Sequence, residues 1–351
     1  MPQVITQATG TGVNPPNVNL SDYVLEPLGT DDILIKFHAA PINPLDMYVL
    51  KGMYPVKPQH QYQGEPILGF DGVGEVLKRG ETVKDFSVGD IVVPKDYGMG
   101  TWRSHAVLHA GKVQKIPRPH HVTVGAILKL GILPAYLLVE DIITIKPGDW
   151  IILNAATSVI AQFVIQFAHR RGAHTISMIR DREAEEATSV KNALTELGAD
   201  LVVTEAEVAN ETATLKDKRI VLALDSVFGS SGQLLLKSLV AGGTFTQLGL
   251  LGGPTRKIEL STGDLFARQI TLRGFRGSAQ WAKRSAQEQL NVLGWLVNLF
   301  NSGDLVLPTL GLEEVVWNTK DVHRSKDEVL AALGRVEKCA LGQRKVIMVF
   351  E

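Results

Sequence analysis

The residues best placed to do chemistry lie between Trp150 and Arg182. Trp150-Ile-Ile-Leu-Asn154 reads as a buried strand. Ile160, Phe163, Val164, Phe167 and Ala168 then recur at i, i+3, i+4, i+7 and i+8, which is one face of a helix. Gly172 stands where a left-handed residue ends such a helix, and Thr175–Ile179 is the next strand. A βαβ unit of this length aims its first turn at a dinucleotide pyrophosphate, held by backbone N–H groups and the helix N-terminus. The turn here is Asn154-Ala-Ala-Thr-Ser-Val-Ile-Ala-Gln162, without a glycine. It also reads as an ordinary strand–helix turn with Thr157 or Ser158 as N-cap. The second strand ends in Arg180-Asp181-Arg182. Guanidinium groups bind phosphate bidentately, and arginine at this point accommodates a ribose 2′-phosphate, so the pair favours NADPH over NADH. The alternative is a solvated basic turn.

Other chemistry is sparse. Nine histidines are scattered, and the adjacent pair His120-His121 would point apart on a strand. The single cysteine, Cys339, leaves no disulfide within the chain and no Cys-rich zinc or iron–sulfur site, so no metal is expected. Arg268, Arg273, Arg276, Lys283 and Arg284 fall in one stretch without an acid. This run is a solvated surface or a landing site for a phosphate-bearing or acidic partner.

The elements that must position these residues fall into two patterns. The first ~125 residues are rich in Gly, Pro and short β-type runs, such as Asp32–His38, Gly72–Val76 and Asp90–Pro94, and read as a mostly antiparallel, barrel-like domain. Val124–Glu140 is an apolar stretch containing Gly131 and Pro134, read as helix, break, helix. From Trp150, strands at 150–154, 175–179, 201–203, 220–224, 244–248 and 270–272 alternate with helical segments such as Gln233–Leu239. That alternation is the signature of a doubly wound parallel sheet. A helix over Glu288–Asn301 and a strand over Lys345–Phe350 close the chain. The domains expected are 1–124, 125–275 and 276–351, the last returning to the first. The 351 residues carry 36 Lys plus Arg against 37 Asp plus Glu, a net charge of -1 that gives no global footprint for nucleic acid. No apolar run approaches the ~20 residues of a membrane span.

Several segments resemble the medium-chain dehydrogenase/reductase superfamily, within it the zinc-free 2-enoyl thioester reductases of mitochondrial type and the quinone oxidoreductase-like branch. They are Ala39-Ala-Pro-Ile-Asn-Pro-Leu-Asp46, Gly52-Met-Tyr-Pro55, Gly100-Thr-Trp-Arg103, Asn154-Ala155, Ile179-Arg-Asp-Arg182 and Arg273-Gly-Phe275. The resemblance implies a GroES-like domain with an inserted Rossmann domain, and NADPH-dependent reduction of an activated C=C bond, most simply in a trans-2-enoyl thioester of CoA or acyl carrier protein. Tyr54 becomes the expected acid, since a phenol of ordinary pKa ~10 keeps its proton at neutral pH. Cofactor contacts are implied at Asn43, Thr157, Ser158, Val159, Ile160, Arg180, Asp181, Arg182, Leu248, Gly249, Leu250, Leu251, Phe275, Arg276, Gly277 and Lys345. The chain departs from the family at Gly131-Ile-Leu-Pro-Ala-Tyr136, at Val159 and Ala161 in place of glycines, at Leu248–Leu251 and at Phe275–Gly277. Val159 is expected to set two methyl groups where the pyrophosphate approaches the backbone. The alternatives are an enone reductase with a non-thioester substrate, and a member that has lost hydride transfer and acts as a binding or cofactor-independent protein. The resemblance leaves room for a homodimer. It implies a cytoplasmic location, or the mitochondrial matrix if a presequence has been removed.

Overall fold

The computed structural model describes residues 2–8, 18–211, 215–318, 322–338 and 345–351; Cys339 lies outside them. The chain divides into two compact units. One comprises Met1–Leu130, Ala286–Leu307 and Leu312–Glu351; the other comprises Gly131–Ser285 and Pro308–Gly311. The divisions fall later than the expected 124 and 275. The chain between Val122 and Glu140 does not break but runs helix, π-helical turn (Leu128–Ile132), helix, with Pro134 accommodated in the first turn of the last helix, where its missing N–H costs nothing.

The first unit is built on a seven-stranded sheet. Its path runs Leu312–Trp317, Lys345–Phe350, Asp32–Ile42, Val73–Arg79, Ile91–Pro94, Val113–Ile116, and His105–His109 also pairs with Asp32–Ile42. All pairs are antiparallel except the first. Along Asp32–Ile42, burial alternates up to His38 and then becomes continuous. Ile33, Ile35 and Phe37 therefore enter the core on one face, each contributing about 1.5–3 kcal/mol by leaving water. Trp102 and Trp317 are fully buried, and their indole N–H groups donate to the Pro41 carbonyl (3.0 Å) and to Gln3 Oε1 (2.6 Å). The N-terminal hairpin Gln3–Gln7/Val18–Asp22, the Leu312–Trp317 strand and the Val322–Lys338 helix were not foreseen from sequence.

The second unit holds six parallel strands in the order Leu201–Thr204, His174–Ile179, Trp150–Leu153, Ile220–Asp225, Thr244–Gln247, Thr271–Gly274. All six match expected strands. The order reverses between Trp150–Leu153 and Ile220–Asp225, and in open α/β sheets ligands bind beyond the carboxyl ends of the strands at such a switch point. Gly172 has φ +69°, the left-handed helix end expected of it.

Candidate functional site

In the second unit the switch point is closed by a buried polar network. Asn154 Nδ2 donates to Asp225 Oδ1 (2.6 Å) and to Ser231 Oγ (3.1 Å), while Asn154 Oδ1 accepts from the Ser226 N–H (2.7 Å). The same Asp225 oxygen accepts the N–H groups of Val227 (2.9 Å) and Phe228 (2.8 Å). The Ser226–Phe228 loop is thereby fixed, and it in turn fixes the next one. Leu248 N–H donates to the Asp225 carbonyl, Leu251 N–H to Ser226 and Gly252 N–H to Val227. Gly249 is required by this close approach, since a Cβ there would lie 2.8 Å from the Ser226 carbonyl oxygen. Sequence reading did not single out Asn154 or Asp225 as positioning residues. No local spacing links the ends of two strands that meet only in the sheet.

The turn after Trp150–Leu153 manages without glycine by placing Ala155 at φ +48°, a conformation that costs an L-residue roughly 1–2 kcal/mol. Ser158 caps the helix Val159–Arg170, its Oγ accepting from the Ala161 N–H (3.3 Å). Ser158 N–H donates to the Ala155 carbonyl. Among the described residues, the N–H groups of Val159 and Ile160 in the first turn make no hydrogen bond outside their own helix. Val159 is 4% exposed; its methyl groups are withdrawn from the surface rather than standing bare at the turn. Thr157, Ser158 and Ile160 are half-buried. Ile160 and Leu248 line one small recess with Asn154, Ala161 and Ser226, so the phosphate turn and the Leu248–Leu251 loop share a surface.

At the end of His174–Ile179, Arg180 and Asp181 are exposed and Arg182 is half-buried. Asp181 Oδ1 accepts from the Ala206 N–H (3.1 Å), which ties it to the first turn of the helix Glu205–Ala209. Arg182 is paired with Glu186. Phe275 N–H donates to the Gln247 carbonyl (2.7 Å), and Arg276 and Gly277 begin the short helix Gly277–Trp281. The basic run is mostly engaged within the unit. Arg268 binds Asp264 and the Leu239 carbonyl, Arg273 the Ile142 carbonyl, and Arg284 both oxygens of Asp141. Among the described residues, Arg276 and Lys283 make only local contacts, with Ser278 and Gln280.

The first unit carries Asn43, Tyr54 and Lys345. The helix Pro44–Leu50 starts with proline, preset for a first helical turn; the Asn43 N–H donates to Asp46 Oδ2 (2.7 Å). The helix ends at Gly52, φ +67°, with Gly52 and Met53 N–H groups returning to the Val49 and Tyr48 carbonyls. This left-handed step delivers Tyr54, half-buried and edge-on to Phe70 with centroids 6.0 Å apart. Val346 pairs with Ile42, and the antiparallel register carried one residue further sets Lys345 opposite Asn43. Directly opposed side chains share a face, so the sheet unites two expected contacts from opposite ends of the chain. Asn43 is buried, with its side chain against the Asp46 carboxyl.

Around this pair lies a buried, charge-balanced group. Burial pushes the Asp46 carboxyl up to about 7, against the Asn43 N–H bond and the Lys345 charge. It pushes Asp71 up to about 6, against Lys129, Lys345 and the N–H groups of Leu130 (2.8 Å) and Gly72 (3.0 Å). The same desolvation lowers Lys345 to about 8, opposed by Asp71 and Asp46. Lys129 falls to about 8 for the same reason, opposed by Asp71; its ammonium donates to the Pro94 and Lys95 carbonyls (both 2.7 Å), 4.7 Å from the Tyr97 ring centroid. Among the described residues no group of three or more His, Cys, Asp or Glu is placed to hold a metal ion.

An antiparallel β-rich unit, with a six-stranded parallel sheet of dinucleotide-binding order in the other unit, is the architecture of a medium-chain dehydrogenase/reductase. Residues 29–146 match the alcohol dehydrogenase GroES-like domain and residues 159–293 the zinc-binding dehydrogenase domain. The mitochondrial enoyl-[acyl-carrier-protein] reductase of Arabidopsis thaliana is 33% identical over 88% of this chain and 80% of its own length. That of Yarrowia lipolytica is 30% identical over 92% and 85%. The chain belongs to this reductase family. Among solved structures, the mitochondrial 2-enoyl thioester reductase Etr1p/Etr2p heterodimer from Candida tropicalis superposes with a TM-score of 0.84, 25% identity and 99% coverage of both chains. The Etr1p complex with NADP and crotonyl-CoA gives 0.85, 24% identity and the same coverage.

Proposed function

We propose that this protein is an NADPH-dependent reductase of trans-2-enoyl thioesters. The observation that carries the reading is the match along 88% of the chain to a relative named for that activity, with the residues at the sheet's switch point fitting the cofactor. The N–H groups of Val159 and Ile160 at the helix N-terminus would receive the pyrophosphate. Arg180, exposed, with Arg182 beside it, would take the 2′-phosphate. Asp181, the acid that could favour a ribose hydroxyl, is bound to the Ala206 N–H instead. Leu248–Leu251 and Phe275–Gly277 are the further contacts proposed in the second unit, and Asn43 and Lys345 those proposed in the first.

When bound, NADPH supplies hydride to Cβ of the enoyl group. Tyr54 holds the proton that Cα receives. Phe70 orients its ring, and the Gly52 turn fixes where the hydroxyl is presented. The substrate carrier's phosphates would meet Arg276 and Lys283, the cations of the basic run with only local contacts. We assign the protein to mitochondria on the names of its relatives. We also assign it a homodimer. Thr271–Gly274 is an exposed sheet edge, and Phe266 (83% exposed), Leu265 and Leu272 stand on the segment leading to and along it; such apolar surface is usually covered.

The test is NADPH oxidation followed at 340 nm with crotonyl-CoA and, separately, a simple enone. The expected result is turnover with NADPH and crotonyl-CoA, weaker with the enone and with NADH. Consumption of the enone alone would transfer the protein to the non-thioester reductases, and no oxidation with either would support a lineage without hydride transfer.

A further inference from the structure

We infer that Glu186 tempers the cofactor preference of this chain: its carboxylate holds one donor of Arg182, so that a 2′-phosphate gains the full guanidinium only by displacing it. The inference rests on the reading of residues 180–182 as the 2′-phosphate site.

Arg182 Nη1 donates to Glu186 Oε1, an i,i+4 pair. The two side chains differ in exposure, 15% for Arg182 against 60% for Glu186. The guanidinium is thus lodged in the protein, while the carboxylate is the partner able to leave. Arg182 Nε is buried without an acceptor. The glutamate therefore serves one edge of the guanidinium fork and leaves a donor unmet. A phosphate presents three acceptor oxygens and can take two donors of one fork. Glu186 lies in the first turn of the helix Ala184–Glu196, whose N-cap residue Glu183 makes no side-chain cap bond. No capping bond consumes the Glu186 carboxylate.

The neighbours sharpen the effect. Arg180 is exposed and makes no hydrogen bond or ion pair among the described residues, so it is ready for an anion without rearrangement. Asp181 is held at the Ala206 N–H. Glu183, Glu185 and Glu186 are all exposed and oppose a dianion approaching the turn. Arg180 is then the primary phosphate residue, and Arg182 a second one whose contribution is discounted by its exchange with Glu186. The exchange swaps one anion for another on a guanidinium and makes or breaks no covalent bond.

The experiment is a fluorescence titration of the full chain with NADPH and with NADH, comparing the parent, Glu186→Gln, Arg182→Ala and the double variant. Glu186→Gln is expected to bind NADPH about 3–10-fold more tightly and NADH within about twofold of the parent, on the scale of one charge-assisted pair. In the Arg182→Ala background the gain should vanish, since the cycle isolates the pair. Equal or weaker NADPH binding by Glu186→Gln would overturn the inference and make Glu186 an orienting residue. A gain that persists without Arg182 would overturn it too, leaving only a general field effect. A parent that prefers NADH would remove the reading of residues 180–182 itself, a result visible without either variant.

Discussion

The two units prepare their polar groups in opposite ways. In the first, Asn43, Asp46, Asp71 and Lys129 are buried and the Lys345 ammonium is desolvated among them. In the second, Arg180 and Asp181 stand in solvent, while the Asn154–Asp225 network that holds the loops is buried. Desolvation shifts protonation toward neutrality and makes each lost contact expensive. Exposed charges recognise an anion without that cost, but each is worth less. On the proposed reading, the first unit carries the acid and the second recognises the cofactor's charge.

The largest way to test that division is at Tyr54. Tyr54→Phe keeps the ring against Phe70 and removes the hydroxyl. Turnover of crotonyl-CoA should fall ~10²–10⁴-fold, the scale of a positioned acid.

Next in size is Asp225→Ala, which would leave Asn154 Nδ2 and the N–H groups of Val227 and Phe228 without their shared acceptor. A loss of roughly 2–4 kcal/mol in urea unfolding is expected, with weaker NADPH binding, because the Leu248–Leu251 loop leans on the same segment. Asp225→Asn, which keeps an acceptor oxygen, should recover part of both. If the alanine variant unfolds like the parent, the network does not hold the second unit's loops.

A third prediction concerns pH. Asp46 has a folded-state pKa of about 7, above the ~3.9 of an unfolded aspartate. The folded protein therefore retains a proton that the unfolded chain releases, and stability from this group falls as pH rises from about 4 to 7. Lys345 and Lys129 have the opposite sign: lowered to about 8, they add stability as pH rises from about 8 towards 10.4. The stability of the parent relative to Asp46→Asn should fall by roughly 2–3 kcal/mol between pH 5 and 7.5. A pH-independent difference in thermal midpoints would show that Asp46 is not strongly desolvated.

The smallest effect expected is at Ala155. Ala155→Gly relieves a left-handed alanine and should raise stability by about 0.5–1 kcal/mol. A loss of stability would mean that the turn does not adopt φ +48° in solution.

How much of this was legible in the sequence follows from range. The six strands of the second unit are short apolar runs bounded by turn residues, so local pattern found them. The helix over Val159–Arg170 showed its buried face through spacing alone. The strand Leu312–Trp317, read Leu-Glu-Glu-Val-Val-Trp, carries no clean alternation, because its place is set by pairing with Lys345–Phe350. Within the site, Arg180 and Arg182 were readable because their position after a strand is local. The burial of Val159 (4% exposed) was not readable, since nothing in the sequence tells whether an N-terminal helical side chain turns inward. The meeting of Asn43 with Lys345, and of Asn154 with Asp225, exists only in sheet register and topology. Resemblance supplied the first two residues, but not the fact that they are neighbours.

The division of labour is tested most directly by measuring two quantities, kcat with saturating NADPH and crotonyl-CoA and the Kd for NADPH, in Tyr54→Phe and Arg180→Ala. The account predicts a crossed result. Tyr54→Phe loses turnover and keeps its NADPH affinity, whereas Arg180→Ala loses about 1–3 kcal/mol of NADPH affinity and keeps kcat. Both quantities changing together in either variant would contradict it.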